Sequence, residues 1–386
     1  MRIAVIANNL RVAGGESVGR NVVATLPRVT PMHEYLFVVP EGLGYESFSG
    51  TDRVELLEAR SSSALSSASE ILHRIPRALR GFSPDLVWSL GNLPIRHPTG
   101  RQALLVQDAH LFYPRAHFER EVWRHRQRNR AISAYLRNSL RFVDLVFCQT
   151  QTAAARFRNR YGFSAVAVMP NAVSGIPASQ GVESEPPPRL EGYTDRFKLF
   201  ALTKYYAHKN LELIVDAYAA HGMDLLAGTV CFLTVDPSHH PRARDLLRRI
   251  AREVPEQVVN LGPLPQSVIA QYYRGVDALV HPSTLESFSA SYLEAMAFGV
   301  PILASDLDFA HEICGGAAIY FSPQQPSDLA RCVQKLRHDT VLGDRLAAEG
   351  RQRLASVSAD WPTIIRGALD AMGVPHTDAE ERSTSP

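Results

Sequence analysis

The clearest fold signal in this chain lies between His281 and Asp306, in the sequence HPSTLESFSASYLEAMAFGVPILASD. An apolar run ends at its first residue and predicts a buried strand, and helical spacing of apolar residues follows from about Ser289 to Phe298. Gly299 is expected to end this helix, and Val300 to Ala304 predicts the next strand. The stretch therefore predicts a strand, a helix and a second strand.

Two carboxylates bracket the start of this predicted helix. Glu286 precedes the helix and Glu294 lies within it. The free N–H groups at the start of a helix form a site for anions. A carboxylate two turns further on would repel a phosphate but suits a sugar diol. One interpretation is a site for a nucleoside diphosphate. The other is an ordinary strand–helix–strand unit whose glutamates are solvated.

Patterns of strand, turn and helix repeat along both halves of the chain. Two successive arrays of this kind predict an α/β fold with two Rossmann-like domains facing across a cleft. The predicted segments are a first domain (1–173), a linker rich in proline, glycine and charge (174–196), a second domain (197–355), a C-terminal helix packing back on the first domain (356–373) and a disordered tail (374–386).

Composition is that of a globular protein that is not embedded in a membrane. Of the 386 residues, 45% are hydrophobic and 21% charged, and no apolar run approaches the roughly 20 residues that span a bilayer. The start, MRIAVIANN, predicts a strand and not a signal peptide. The four cysteines lack metal-ligand spacing and are expected to be buried thiols in the reducing cytoplasm.

Positive charge is concentrated in the first half of the chain. Residues 1–173 contain 22 arginines, no lysine and 13 acidic residues, and Arg115 to Arg141 is a helical stretch in which arginines alternate with apolar residues. Such a helix can lie on an anionic membrane surface or grip a phosphorylated acceptor. It can equally be a surface helix with a core-facing stripe. Nucleic acid is not predicted, because no binding module accompanies the arginines.

Several polar groups follow predicted strands, where parallel sheets place their ligands. Gly14 and Gly15 follow the first strand, and His110 follows a later strand of the first half. Lys204 and Lys209 stand at a strand-to-helix turn of the second half, where two lysines suit a diphosphate. A plain tight turn and a structural histidine are the alternative interpretations in the first half.

The stretch that contains Glu286 and Glu294 resembles the signature of family 4 retaining glycosyltransferases of the GT-B fold, E-x7-E followed by A-M-A-x-G-x-P. Here it runs from Glu286 to Glu294 and on through Ala295 to Pro301. The similarity extends to Tyr205 through Asn210, Val259 through Gly262, Asp277 through Ser283 and Glu312 through Pro323, with weaker echoes at Gly14-Gly15 and Pro170-Asn171. The resemblance covers most of the second half and scattered points of the first.

This resemblance implies roles for individual residues, with the donor in the second domain and the acceptor in the first. Glu286 would contact the donor sugar and Glu294 the ribose. The implied catalytic residues are Glu286, Lys209, Lys204 and His110, and the implied donor-binding residues are Glu294, Gly14, Gly15, Gly262, Leu264, Ser287, Phe288, Ser289, Ala290 and Ser291. Backbone N–H groups at the helix start, with Lys209, would neutralise the departing diphosphate.

The sequence departs from the family pattern at three places. Lys204 stands where an arginine is usual, and Glu286-Ser287-Phe288-Ser289 replaces Glu-Gly-Phe-Gly. Gln107-Asp108 stands where many members have His-Asp, although His110 is nearby. Asp306-Leu307-Asp308 spells the DxD metal motif of a different fold, which we interpret as coincidence. Neither a metal nor a cofactor is expected.

The implied function is that of a retaining hexosyltransferase. A sugar would move from a nucleotide-sugar donor to a glycan, glycolipid or lipid-linked acceptor, in cell-surface polysaccharide biosynthesis. The alternatives are a non-catalytic GT-B partner subunit and a GT-B nucleotide-sugar epimerase. The expected location is the cytoplasm, either free or peripheral on the inner face of the membrane through Arg115 to Arg141.

Overall fold

The structure, a computed structural model, describes residues 1–11, 13–48, 52–60, 70–114, 117, 123–172 and 187–376. The chain divides into two compact units. Unit 1 comprises Met1–Phe112, Trp123–Ser174 and Ala359–Pro386, and unit 2 comprises Tyr113–Val122 and Gly175–Ser358. Tyr113, Pro114 and His117, predicted to lie in the first domain, group with unit 2 instead.

Unit 1 is built on a seven-stranded parallel sheet with the order β3-β2-β1-β4-β5-β6-β7. Its strands are β1 (Arg2–Ile6), β2 (Glu34–Pro40), β3 (Val54–Ala59), β4 (Leu86–Ser89), β5 (Arg101–Val106), β6 (Leu145–Cys148) and β7 (Val166–Val168). Its helices are α1 (Ala13–Val29), α2 (Ile75–Phe82), α3 (Trp123–Ser139) and α4 (Gln151–Tyr161), with α13 (Trp361–Ala371) added from the end of the chain.

Unit 2 carries a six-stranded parallel sheet with the order β10-β9-β8-β11-β12-β13. Its strands are β8 (Phe197–Ala201), β9 (Thr229–Leu233), β10 (Val258–Asn260), β11 (Ala278–His281), β12 (Ile302–Ser305) and β13 (Ala318–Phe321). Its helices are α5 (Pro188–Glu191), α6 (Glu212–His221), α7 (Pro241–Glu253), α8 (Gln266–Gly275), α9 (Ala290–Phe298), α10 (Asp308–Cys314), α11 (Pro326–His338) and α12 (Thr340–Val357).

Both sheets are covered by apolar side chains on two faces, as parallel sheets require. In unit 1, Phe37 and Trp88 pack with Val22 of α1 on one face, while Leu36 packs with Leu79 of α2 on the other. In each unit the strand order reverses once, between β1 and β4 and between β8 and β11. Ligands of such sheets bind beyond the carboxyl ends of the strands at this reversal.

Helix α13 belongs to the hydrophobic core of unit 1. Asp360 caps its start, because the Asp360 carboxylate accepts a hydrogen bond of 2.8 Å from Thr363 N. Ile365 and Leu369 are fully buried among residues of α1 and the sheet. Val374, predicted to begin the disordered tail, is also buried in this core, so that part of the prediction is wrong.

Two of the sequence predictions extend beyond the described residues. The arginine-rich stretch contains α3, whereas residues 115, 116 and 118–122 lie outside the described part of the chain. Most of the predicted linker, residues 174–186, and residues 377–386 of the predicted tail also lie outside it. Among the residues the structure describes, no helix combines the length and apolarity needed to cross a bilayer.

Truncating α13 in the core should destabilise unit 1. Leu369→Ala removes a fully buried side chain and should lower the free energy of unfolding by about 2–5 kcal/mol, since a cavity replaces packed atoms. All three tryptophans, Trp88, Trp123 and Trp361, lie in unit 1, so tryptophan fluorescence during urea unfolding reports on this unit. The exposed Thr363→Ser on the same helix keeps the hydroxyl beside Asp360. It is the control and should change stability by less than about 0.5 kcal/mol. Equal stability of the two variants would contradict the packing of α13.

Candidate functional site

The loop between β8 and α6 carries Lys209 and has a fixed shape. A short 3-10 turn, Ala207–Lys209, ends at Asn210, whose φ of 55° lies in the left-handed region. Asparagine tolerates this conformation better than most residues. Its side-chain Nδ2 donates to Pro282 O at 3.2 Å and to Pro323 O at 2.9 Å. Asn210 therefore ties the Lys209 loop to the loops after β11 and β13.

Further hydrogen bonds join the Lys209 loop to the residues that follow β11. His208 O accepts from Thr284 N at 2.7 Å and from Ser283 Oγ at 3.1 Å. Ser291 Oγ donates to Leu202 O at 3.3 Å. These bonds fix the two loops against each other at the carboxyl ends of neighbouring strands β8 and β11.

Glu286 stands where these two loops meet. Lys209 Nζ lies 2.5 Å from Glu286 Oε1, and His281 Nε2 lies 2.9 Å from the same oxygen. Glu286 is 8% exposed and His281 3%. A buried carboxylate thus receives a cation from one loop and an imidazole from the end of β11.

The protonation states follow from this geometry. Burial opposes the charge of Glu286, but Lys209 and the hydrogen bond from His281 outweigh burial and lower the pKa of the carboxyl well below its ordinary value. Burial also lowers the pKa of His281, although Glu286 acts in the opposite direction. Glu286 is therefore ionised at neutral pH, and His281 is a neutral imidazole.

Helix α9 begins four residues after Glu286. Ser289 is its N-cap, with extended backbone, and its side chain makes no capping hydrogen bond. The first N–H groups of α9 are thus left without the usual side-chain acceptor, which leaves them available to an anion. Ser287 and Phe288 are half-buried, and Ala290 is exposed.

Glu294 lies on α9 beside a tyrosine from α8. Tyr273 OH donates to Glu294 Oε2 at 3.0 Å. Burial raises the pKa of Glu294, and the tyrosine hydrogen bond partly offsets this. Tyr273 is itself buried, with its ring against Phe200 and Phe298. Tyr273 is not among the site residues predicted from the sequence, because nothing in the sequence pattern distinguishes its hydroxyl from that of a core tyrosine.

The remaining donor-site candidates of unit 2 lie on other loops. Gly262 follows β10 with a φ of +75°, so its backbone conformation, rather than lack of space, favours glycine. Leu264 is half-buried. Lys204 is exposed; the lysine that contacts Glu286 is Lys209.

Unit 1 holds the other predicted candidates. His110 Nδ1 lies 2.7 Å from Asp108 Oδ1. Burial would raise the pKa of Asp108, but the hydrogen bonds and charge of His110 produce a net lowering. Asn92 Oδ1 accepts from Asp108 N at 2.8 Å and so positions this pair. Gly14 and Gly15 lie in the first turn of α1.

Both carboxylates of the DxD sequence have protein partners. Asp306 Oδ1 lies 2.6 Å from His311 Nε2, and Asp308 Oδ1 accepts from Tyr113 OH at 2.9 Å. Within the described ranges, no group of three or more His, Cys, Asp or Glu side chains could hold a metal ion.

Similarity to known proteins covers both halves of the chain. The family model "Glycosyltransferase Family 4" matches residues 13–174, and the model "Glycosyl transferases group 1" matches residues 197–339. A D-inositol 3-phosphate glycosyltransferase of Thermomonospora curvata is 32% identical over 117 residues, which are 29% of this chain and 27% of that protein. A glycogen synthase of Mycobacterium tuberculosis is 32% identical over 106 residues, 27% of this chain and 25% of that protein. The matched segments thus span about a quarter of these relatives.

Solved structures share the fold over nearly the whole chain. Sucrose-phosphate synthase of Thermosynechococcus elongatus superposes with a TM-score of 0.73 at 14% identity, covering 96% of this chain and 98% of that one. Anabaena HepE in complex with UDP-glucose gives 0.71 at 16% identity, covering 97% and 99%. These likenesses confirm the predicted GT-B fold with two Rossmann-like sheets. The chain therefore belongs to the glycosyltransferases, with a Glycosyltransferase Family 4 region in its first half and a Glycosyl transferases group 1 region in its second half.

Proposed function

We propose that the protein is a retaining hexosyltransferase that moves a sugar from a nucleotide-sugar donor to a glycan, glycolipid or lipid-linked acceptor. The acceptor class places the reaction in cell-surface polysaccharide biosynthesis. The observation that carries the proposal is the ion pair between half-buried Lys209 and buried Glu286, 2.5 Å apart. Glu286 lies four residues before the uncapped start of α9. This arrangement places a cation, a carboxylate and free N–H groups on adjoining loops of one sheet edge.

The donor diphosphate would bind between Lys209 and the start of α9. Negative charge grows on the diphosphate as the glycosidic bond breaks, so fixed N–H groups and an ammonium stabilise the transition state more than the ground state. Exposed Lys204 supplies a second positive charge on the same loop. A lysine is a point charge and lacks the bidentate geometry of arginine.

The two glutamates would bind hydroxyl groups of the donor. Ionised Glu286 is an acceptor for a sugar hydroxyl, and Glu294 suits the ribose diol. Hydrogen bonds from a diol favour the ionised form of Glu294, whose pKa burial raises in the free protein. Gly262 and Leu264, at the loop after β10, would contact the base.

A retaining mechanism follows from the E-x7-E signature and its resemblance to retaining enzymes. The departing phosphate would assist the acceptor hydroxyl, so the protein supplies binding and electrostatics and needs neither a metal nor another cofactor. We assign the His110–Asp108 pair to the acceptor side and Gly14 and Gly15 to the donor phosphates. UDP-sugars are the first donors to test, because the structurally similar HepE was crystallised with UDP-glucose.

Helix α3 supports a peripheral position at the cytoplasmic face of a membrane. Arg126, Arg128 and Arg130 are exposed on it, and Trp123 at its start is 67% exposed. Arginines attract anionic headgroups, and tryptophan favours the interface between headgroups and acyl chains. A lipid-linked acceptor would be delivered at the same surface.

Removing Lys209 should slow the reaction. Lys209→Ala is expected to lower the rate of nucleotide release by about tenfold or more, because a charge that stabilises the leaving group is lost. The assay is a panel of UDP-, GDP- and ADP-sugars with released nucleotide as readout, and the exposed Lys335→Ala is the control. Nucleotide binding without release or transfer for every donor and acceptor, in the unmodified protein, would favour a non-catalytic partner subunit.

Glu294 should matter for donor binding. Glu294→Ala is expected to weaken UDP binding about tenfold, equivalent to about 1.4 kcal/mol, because the acceptor for the ribose diol is gone. Tyr273→Phe removes the hydroxyl that donates to Glu294 Oε2 and also lies 3.4 Å from Ser291 O, but it keeps the carboxylate. It should therefore have a smaller effect. Calorimetric titration with UDP measures both variants, with the exposed Glu256→Ala as control. Parental affinity in Glu294→Ala would refute the ribose assignment.

Anionic lipid should recruit the protein through α3. Flotation with vesicles containing phosphatidylserine is expected to carry the protein at low salt and to release it at high salt, since exposed charges are screened. Replacing Arg126 and Arg130 by Ala should reduce flotation, whereas replacing exposed Arg248 and Arg252 of α7 should not. Equal flotation with neutral and anionic vesicles would leave α3 as an ordinary surface helix.

A further inference from the structure

We propose that His281 is a positioning residue, which holds Glu286 through one neutral Nε2–H hydrogen bond so that the second carboxylate oxygen faces the bound sugar. This role rests on the proposed function, because it concerns the same site. His281 is the last residue of β11 and reaches Glu286 across the turn between them.

Both donors bond to one carboxylate oxygen of Glu286, and neither bonds to the second oxygen. Lys209 Nζ and His281 Nε2 both contact Oε1, at 2.5 and 2.9 Å. In the described part of the chain, Glu286 Oε2 accepts no hydrogen bond. This oxygen is not one of the fully buried polar atoms that lack a partner, so it is not sealed off from solvent. Oε2 is thus the oxygen that can accept a hydroxyl from a ligand.

The hydrogen on His281 is assigned by the charge of its partner. An ionised carboxylate can only accept hydrogen bonds, so Nε2 carries the hydrogen and donates it to Glu286. Burial keeps the ring neutral, so Nδ1 carries none. His281 therefore fixes the orientation of the Glu286 carboxylate without adding a second positive charge beside Lys209.

The surroundings hold the imidazole in one orientation. The ring of Tyr292, from α9, lies edge-on at 4.7 Å between centroids, and on the neighbouring strand β12 the residue opposite His281 is Ala304. Among the residues that the structure describes, the charged and titratable groups that face the imidazole are Glu286, Lys209 and Tyr292. Among these, only Glu286 is within hydrogen-bonding distance of the ring.

Because His281 also bonds to Glu286, Lys209 can move without releasing the carboxylate. When a diphosphate enters, the ammonium of Lys209 can turn toward it, and a carboxylate held by Lys209 alone would lose its position. With His281 in place, Glu286 keeps a hydrogen bond while Lys209 is shared with the phosphate. Loss of His281 should therefore affect turnover more than donor affinity.

Three variants test this role. His281→Phe keeps a ring and removes the donor, His281→Gln keeps an N–H donor, and His221→Gln at the far end of α6 is the control. With the best donor of the panel, kcat of His281→Phe should fall about tenfold or more while KM changes less than about threefold. His281→Gln should recover most of kcat. Full kcat in His281→Phe, or no recovery in His281→Gln, would overturn the positioning role.

Acid pH provides a second readout. Burial lowers the pKa of His281 in the folded protein below its ordinary value of 6.5. The neutral ring therefore contributes its stability above that value, and this contribution is lost as the pH falls from 6.5 through the folded pKa. The fall in Tm between pH 7.5 and 5.5 should be smaller in His281→Gln than in the parental protein and unchanged in His221→Gln. The acid limb of kcat should move to lower pH in His281→Gln.

The two readouts separate the failure of this inference from that of the proposed function. If no donor is turned over by the parental protein, the proposed function and the positioning role both fail, whereas a Tm difference tied to His281 would still show that the buried ring is neutral in the folded protein. If donors are turned over and His281→Gln shows the parental pH dependence of both Tm and kcat, the inference alone is wrong.

Discussion

The site depends on one buried carboxylate oxygen, Glu286 Oε1, which receives both Lys209 and His281. A charge removed from water is costly unless it is paired and hydrogen-bonded. Glu286 meets this requirement only when the loop after β8 and the end of β11 are both in place. The ion pair therefore couples the positions of two loops, and the start of α9 follows from the same turn.

Sheet topology supplies the frame for this pairing. Strands β8 and β11 are neighbours although about 75 residues separate them, because the strand order reverses at this point. Asn210 then secures the Lys209 loop to backbone carbonyls of two other loops. The polar groups thus rest on a rigid sheet edge, which limits the freedom of each side chain before any ligand binds.

Local patterns predicted much of this architecture, because apolar periodicity and turn residues act over short distances. Helix α9 was predicted from about Ser289 and begins at Ala290. Glu286 was selected from motif spacing, and Lys209 from its place at a strand-to-helix turn. Contacts between distant side chains were not predictable. His281 stands at the end of a predicted buried strand, with nothing to mark it as a site residue. No local signal indicated that Tyr113 and His117 group with unit 2.

The sequence by itself determined two α/β arrays, the helix that follows Glu286, and the candidate charges at the strand ends. Each of these depends on residue type and spacing within a few turns of chain. Only the tertiary structure decided that Lys209, rather than Lys204, contacts Glu286, and that His281 shares the same oxygen. The reason is physical: a hydrogen bond needs atoms within about 3 Å, and loops far apart in sequence reach that distance only through the packing of the whole sheet.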